Sequence, residues 1–104
     1  MKSNYKYAGS PVTIYSFELC HYGENGDYEV FPDRELGLEL APKAEELRST
    51  GYEIDFASEG VLIFIKGGVD YTLFDDGRLI IEGLAPGSCE QAIEAAVSLV
   101  GYDK

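Results

Sequence analysis

The sequence predicts an α+β fold in which an antiparallel sheet of five to six strands carries two helices on one face. Short β-rich runs joined by glycine-containing turns fill residues 52–82, and two stretches at 42–50 and 88–100 have apolar residues at helical spacing. At 104 residues and 45% apolar content, the chain has the size of one domain and can bury a core without a metal or a disulfide. We therefore expect a single domain over residues 1–104.

The N-terminal third is predicted to hold a polar arm followed by a strand or a hairpin. Residues 1–11 form the short polar arm, and residues 12–20 are rich in β-branched and aromatic side chains. The Asn-Gly pair within residues 23–27 is a strong hairpin signal, so residues 28–31 could return as a short strand.

The segment over residues 32–41 allows two interpretations. Leu36, Leu38 and Leu40 alternate as in an extended chain, but the same residues could begin a helix interrupted by Gly37. Pro42 suits the first turn of a helix. We expect this first helix to end just before Gly51.

Four strands in a meander and a closing helix complete the predicted element order of strand, helix, four strands, helix. Ser88 is a natural N-cap for the closing helix, and Gln91 could complete a capping box with it. The four strands are predicted at residues 52–57, 61–66, 69–74 and 78–82.

The turn lengths assign the side chains of this meander to two faces. With a two-residue turn at Asp76-Gly77, Leu73 pairs with Ile80. The face covered by helices then holds Tyr52, Ile54, Phe56, Leu62, Phe64, Tyr71, Leu73 and Ile80. The second face holds Glu53, Asp55, Val61, Ile63, Ile65, Asp70, Thr72, Phe74, Leu79 and Ile81.

The second face has an apolar centre and an acidic margin, which is unusual for a face in contact with water. One interpretation is a contact surface for another protein or for a second copy of the chain. The other is that the N-terminal arm or residues 28–40 fold over it. The candidate interface residues are Ile63, Ile65, Phe74, Leu79 and Ile81.

The net charge of −11, from 19 acidic and 8 basic residues, restricts the partners. Nucleic acids and anionic membranes are disfavoured because both are bound largely through lysine and arginine. A basic protein surface or a divalent cation fits better. The N-terminus lacks the apolar segment of a signal peptide, and we expect a cytoplasmic protein with reduced thiols.

The stretch "VDYTLFDDGRLIIEG" followed by "CEQAIEAAVSLV" resembles one half-repeat of the TATA-box-binding protein family, with the likeness densest from Val61 to Gly101. The resemblance implies the β-α-β4-α topology. In that family the open sheet face binds the DNA minor groove. DNA binding is not expected here because Glu53, Asp55 and Asp70 lie where basic residues would be required.

The acidic turns make calcium or magnesium binding an alternative function. The candidate metal ligands are Glu24, Asp27, Asp75 and Asp76, although the spacing of a calcium loop is absent. Asp-Asp-Gly is also simply favourable turn chemistry.

The sequence points to no catalytic residue. Cys20 and His21 are neighbours on a predicted strand and so face opposite sides, and the chain has no second histidine. Cys89 lies on the apolar face of the last helix, as a buried structural cysteine would. An enzyme using an unrecognised carboxylate pair is a further alternative, but nothing selects a pair.

Overall fold

The computed structural model describes residues 1–19 and 26–104, which form one seven-stranded antiparallel sheet and two helices. The α+β class and the two helices are as predicted, but the strand count exceeds five to six. The strands are β1 Lys2–Tyr7, β2 Ser10–Glu18, β3 Gly26–Pro32, β4 Glu53–Ala57, β5 Val61–Lys66, β6 Val69–Phe74 and β7 Leu79–Leu84; the helices are α1 Leu40–Ser49 and α2 Cys89–Ala96.

The strand order across the sheet is β1-β2-β3-β7-β6-β5-β4, and every neighbouring pair is antiparallel. Helix α1 packs on β4 and β5, and α2 packs on β2 and β3. Helix α2 continues into a π-helical turn over Val97–Gly101. Both helices lie on one face, so the sheet has a covered face and an open face.

The core lies between the covered face and the helices. It is built from alternate residues of the strands, which point to the same side because side chains in a strand alternate. The fully buried members, at 0% exposure, include Ile14, Tyr28, Leu62, Phe64, Leu73, Leu79, Ile81 and Ala92.

The additional strand is β1, which occupies most of the predicted polar arm over residues 1–11. Its alternation places Tyr5 and Tyr7 against Tyr102, with ring centroids 6.5 and 5.9 Å apart. Lys6 also exchanges two backbone hydrogen bonds with Asp103, of 2.6 and 2.8 Å. Most of the arm forms a strand because two tyrosines on one of its faces pack against Tyr102. The overall polar composition of the arm does not reveal this apolar face.

Residues 33–39 pass the end of the sheet rather than crossing the open face. The backbone amides of Leu36 and Leu38 donate to the carbonyls of Asp76 and Asp75, at 3.0 and 2.6 Å. Both leucines pack against the core, and α1 then begins at Leu40, two residues before the predicted start. Residues 33–35 border one end of the open face, where they line a pocket of about 290 Å³ together with Phe31 and Arg78. Neither β1, at the sheet edge, nor this segment crosses the centre of the face.

The phase of β7 was predicted wrongly. Phe74 donates its amide to the carbonyl of Arg78, so the loop has three residues instead of two. Leu73 therefore pairs with Leu79, and Ile80 pairs with Thr72. A loop longer by one residue moves every β7 side chain to the opposite face.

The phase of β4 also differs from prediction, because a bulge at Asp55 shifts the register. Phe56 pairs with Ile63 and points to the open face, where it is 51% exposed. Bulges of this kind are common at sheet edges.

The start of α2 depends on Tyr28 rather than on the predicted capping box. Ser88 holds the N-cap position, but its side chain makes no capping hydrogen bond. The hydroxyl of Tyr28 accepts from the amide of Ser88 at 2.7 Å and donates to the carbonyl of Ala85 at 2.8 Å. A tertiary contact thus anchors the entry to the helix.

Candidate functional site

The open face of the sheet is the candidate site, and its side chains lie in three rows that run across the strands. The central row crosses six strands through successive cross-strand pairs. It is mostly apolar and contains one glutamate. Its members are Phe17, Glu29, Ile80, Thr72, Ile63 and Phe56.

The acidic row lies on one side of the central row. Asp27 pairs with Glu82, Glu82 with Asp70, and Asp70 with Ile65, which in turn pairs with Glu53. Carboxylates directly opposite one another repel, so this row costs stability. A basic group placed over the acidic row would offset the repulsion between its carboxylates.

The aromatic row lies on the other side of the central row. Tyr15 stacks on Phe31 at 5.5 Å between centroids, and Phe17 of the central row stacks on the same ring at 5.9 Å. Phe74 pairs with Val61 on its other side. Tyr15, Phe31 and Phe17 therefore form a stacked aromatic cluster on β2 and β3.

Arg78 is the cation of the aromatic row. Its guanidinium carbon lies 4.2 Å from the centre of the Phe74 ring, in a cation–π contact. Its Nε atom is buried without a hydrogen-bond partner among the described residues. The ion pairs formed by the described residues join Arg34 to Asp33, Lys43 to Glu46 and Arg48 to Glu45, so none uses Arg78.

Among the apolar residues of this face, exposure is greatest at the two ends of the central row. Phe17 and Phe56 are 50% and 51% exposed, whereas Ile63, Ile65 and Ile80 are half-buried by their neighbours on the face. Four of the six residues in the central row are apolar, and Ile65, Val61 and Phe74 extend this apolar surface on β5 and β6, so it is larger than the scattered apolar residues of an ordinary surface. It is the feature that most clearly distinguishes this face from the rest of the molecule.

Three of the five predicted interface residues, Ile63, Ile65 and Phe74, lie on the open face. The placement of Leu79 and Ile81 there was wrong, because both are completely buried in the core. Ile80 takes their place. The three-residue length of the Asp-Asp-Gly loop causes this exchange of residues. The composition of the turn does not by itself determine the length of the loop.

The structure does not bring the predicted metal ligands together. Asp27 lies beside the C-terminal half of β7, whereas Asp75 and Asp76 lie in the turn before β7. The side chains of Asp27 and Asp76 accept backbone amides, from Gly83 at 3.1 Å and Arg78 at 3.0 Å. Glu24 lies outside the described residues, and those described contain no group of three or more metal-binding side chains.

The described residues assign no catalytic role to either of the two cysteines. Cys89 is a free, half-buried cysteine at the start of α2, packed against the core. Cys20 and His21 lie outside the described residues.

A groove of about 570 Å³ separates the start of α1 from the β4–β5 turn. Its lining is mostly apolar and includes Glu39 and Glu59.

Comparison with known proteins adds no further assignment. No family model, curated protein or solved structure matches the chain. The resemblance to a half-repeat of the TATA-box-binding protein family stays a prediction. Within the described residues, no helix has both the length and the apolar character needed to cross a membrane.

Proposed function

We propose that this protein is a non-enzymatic interaction module that binds a protein surface through the open face of its sheet. The observation that carries the proposal is the central row, in which apolar side chains stay in contact with water while both helices cover the other face. Burying such a strip in a complex releases free energy in proportion to its apolar area.

The composition of the face fits protein recognition. Aromatic residues and arginine are enriched in protein interfaces relative to the rest of the surface, and Phe17, Phe31, Phe56, Phe74 and Arg78 all lie on this face. The acidic row would favour a partner with a basic group opposite it and disfavour an acidic partner. A cytoplasmic location stays the expectation from the sequence.

The proposal can be tested by site-specific photocrosslinking in an extract of the native cells. A photoreactive phenylalanine analogue replaces Phe56 on the open face or, as the control, Gln91 on the exposed side of α2. We expect a protein adduct from position 56 and none from position 91. Equal yields from the two positions would contradict the proposal.

A substitution on the open face should abolish this adduct without unfolding the chain. Ile63→Asp places a charge in the central row, beside Thr72 and Phe56. We expect the adduct at position 56 to be lost while circular dichroism and the melting transition show a folded monomer. Ser98→Asp, on the exposed side of the helical layer, is the matched control. If Ile63→Asp unfolds the chain, Ile63 is a core residue and the proposed interface is wrong.

A further inference from the structure

We propose that the partner of the open face is a second copy of this chain, bound face to face with its β7 antiparallel to that of the first copy. This inference rests on the proposed function and names the occupant of the same surface. It follows from the charges on the face, which are complementary to themselves under one particular two-fold rotation.

The relevant charges lie on β7, on either side of Ile80. Arg78 precedes Ile80 by two residues and Glu82 follows it by two, and all three point to the open face. A two-fold axis that lies in the interface and crosses β7 at Ile80 reverses the strand. It therefore places Arg78 of each copy over Glu82 of the other, roughly 13 Å from the equivalent pair at the other side.

The same rotation pairs charges that form no ion pair within the described part of the single chain. Neither Arg78 nor Glu82 nor Asp70 forms an ion pair with a described residue. The rotation brings the aromatic row of one copy, with Arg78 on Phe74, over the acidic row of the other. The acidic row thus receives the basic group that it requires.

The apolar residues of the central row meet their own copies along this axis. Ile80, Thr72 and Ile63 lie on successive strands, so each is placed near its equivalent in the second copy. Two sheets packed in this way stand about 10 Å apart with an angle near 30° between their strands.

The size of the face is adequate for a stable dimer. The two longer extents of the molecule are 36 and 29 Å, and the shortest, 21 Å, matches one sheet layer plus one helix layer. The sheet face therefore offers an area on the order of 1,000 Å², and a standard interface buries roughly 800 Å² on each partner.

Charge reversal provides the principal test. Arg78→Glu and Glu82→Arg each place like charges opposite one another in both symmetric pairs of the dimer. We expect each variant alone to weaken dimerisation by more than about tenfold in sedimentation equilibrium. Arg48→Glu on α1 and Glu94→Arg on α2, at exposed positions of the helices that cover the other face, are the controls of matched charge change.

The two reversed variants should complement each other. An equimolar mixture of Arg78→Glu and Glu82→Arg pairs opposite charges at both positions, and so does the double variant with itself. We expect heterodimers in the mixture and homodimers of the double variant, each with nearly the affinity of the original chain. Circular dichroism of the single variants shows whether they are folded, and rescue by mixing excludes misfolding as the cause of their weak association.

Glu29 gives an independent test of the axis. It is the charged member of the central row, and the axis places it near its own copy. Glu29→Gln removes this repulsion, so we expect tighter dimerisation. Glu53→Gln, at the far end of the acidic row, is the control.

Two outcomes would overturn the inference. One is a monomer at every concentration up to near-millimolar. If position 56 then crosslinks to a different protein, the dimer is ruled out but the proposed function stands. If position 56 gives no adduct at all, both the dimer and the proposed function are ruled out. The other is a dimer that neither charge reversal affects, because such a dimer would use another surface.

Discussion

At the scale of single residues, two hydroxyl groups stand out because they are buried without a hydrogen-bond partner among the described residues. They belong to Ser16 on β2 and to Tyr102 near the C-terminus. A buried polar group without a partner destabilises the folded state by about 1–3 kcal/mol. Removing either hydroxyl is therefore expected to preserve or increase stability.

Ser16→Ala is the simpler case. Ser16 is completely buried and lies opposite Val30 in the sheet. We expect its replacement by alanine to raise the free energy of unfolding by up to about 1 kcal/mol. Urea denaturation measures the change, with Ser10→Ala on the exposed start of β2 as the control. A loss of more than about 1 kcal/mol would show that the hydroxyl has a partner.

Tyr102 adds a pH dependence. Burial, followed by the neighbouring Tyr7 and Asp33, raises the pKa of Tyr102 above its ordinary value of 10.0. The folded state then keeps a proton that the unfolded state releases, so the stability is fully present below pH 10 and falls as the pH rises further. The stability falls at alkaline pH because the pKa of Tyr102 is higher in the folded state than in the unfolded state.

Tyr102→Phe should reduce this alkaline loss. We expect urea denaturation to show little change near neutral pH and a smaller decline above about pH 10 than in the original chain. Tyr15→Phe, on the open face, is the comparison variant. An unchanged decline in Tyr102→Phe would assign the alkaline loss to other groups, among them Tyr71, whose pKa is also raised by burial.

At the scale of the elements, the three-residue loop before β7 determines which side chains reach the core. It places Leu79 at 0% exposure and leaves Ile80 half-buried on the open face. Leu79→Ala is expected to lower the free energy of unfolding by about 2–5 kcal/mol. Ile80→Thr, measured at low protein concentration, should cost much less, and a reversed order would mean that β7 has the opposite phase.

Gly77 makes that loop possible. Its φ of +101° is rarely adopted by other residues, and a Cβ there would lie 2.8 Å from Cδ1 of Leu36 and 3.1 Å from Cγ of Pro32. We expect Gly77→Ala to destabilise the fold by roughly 1–3 kcal/mol. Gly60→Ala, where a Cβ would meet no atom within 4 Å, is the matched control in thermal denaturation.

At the scale of the whole molecule, net charge opposes self-association while the local charge pattern supports it. Two chains of net charge −11 repel one another over a Debye length of about 30 Å at 0.01 M salt, but over only about 8 Å at 0.15 M. The contacts of the apolar central row are not weakened by such screening.

We therefore expect the dimer to become stronger as salt rises from about 0.01 to about 0.15 M. Light scattering coupled to size-exclusion chromatography, over a range of protein concentrations, measures this. A dimer that dissociates steadily over the same range would instead be held mainly by ion pairs, with little contribution from the central row.

The sequence by itself determined the class of the fold, both helices and the four-strand meander. These features depend on the local spacing of apolar residues and on turn composition, which can be read over short stretches. It also placed Ile63, Ile65 and Phe74 on a second, apolar face, because β5 and β6 are joined by a two-residue Gly-Gly turn with a definite register.

Only the tertiary structure decided which residues complete that face and whether it is covered. The exchange of Leu79 and Ile81 for Ile80 depends on a single residue of loop length, and the exposure of Phe56 depends on a bulge at Asp55. The strand β1 and the path of residues 33–39 depend on contacts with Tyr102 and with the β6–β7 turn, far away in sequence. Since a strand reverses its faces with a shift of one residue, local patterns cannot determine such a surface until the register is known.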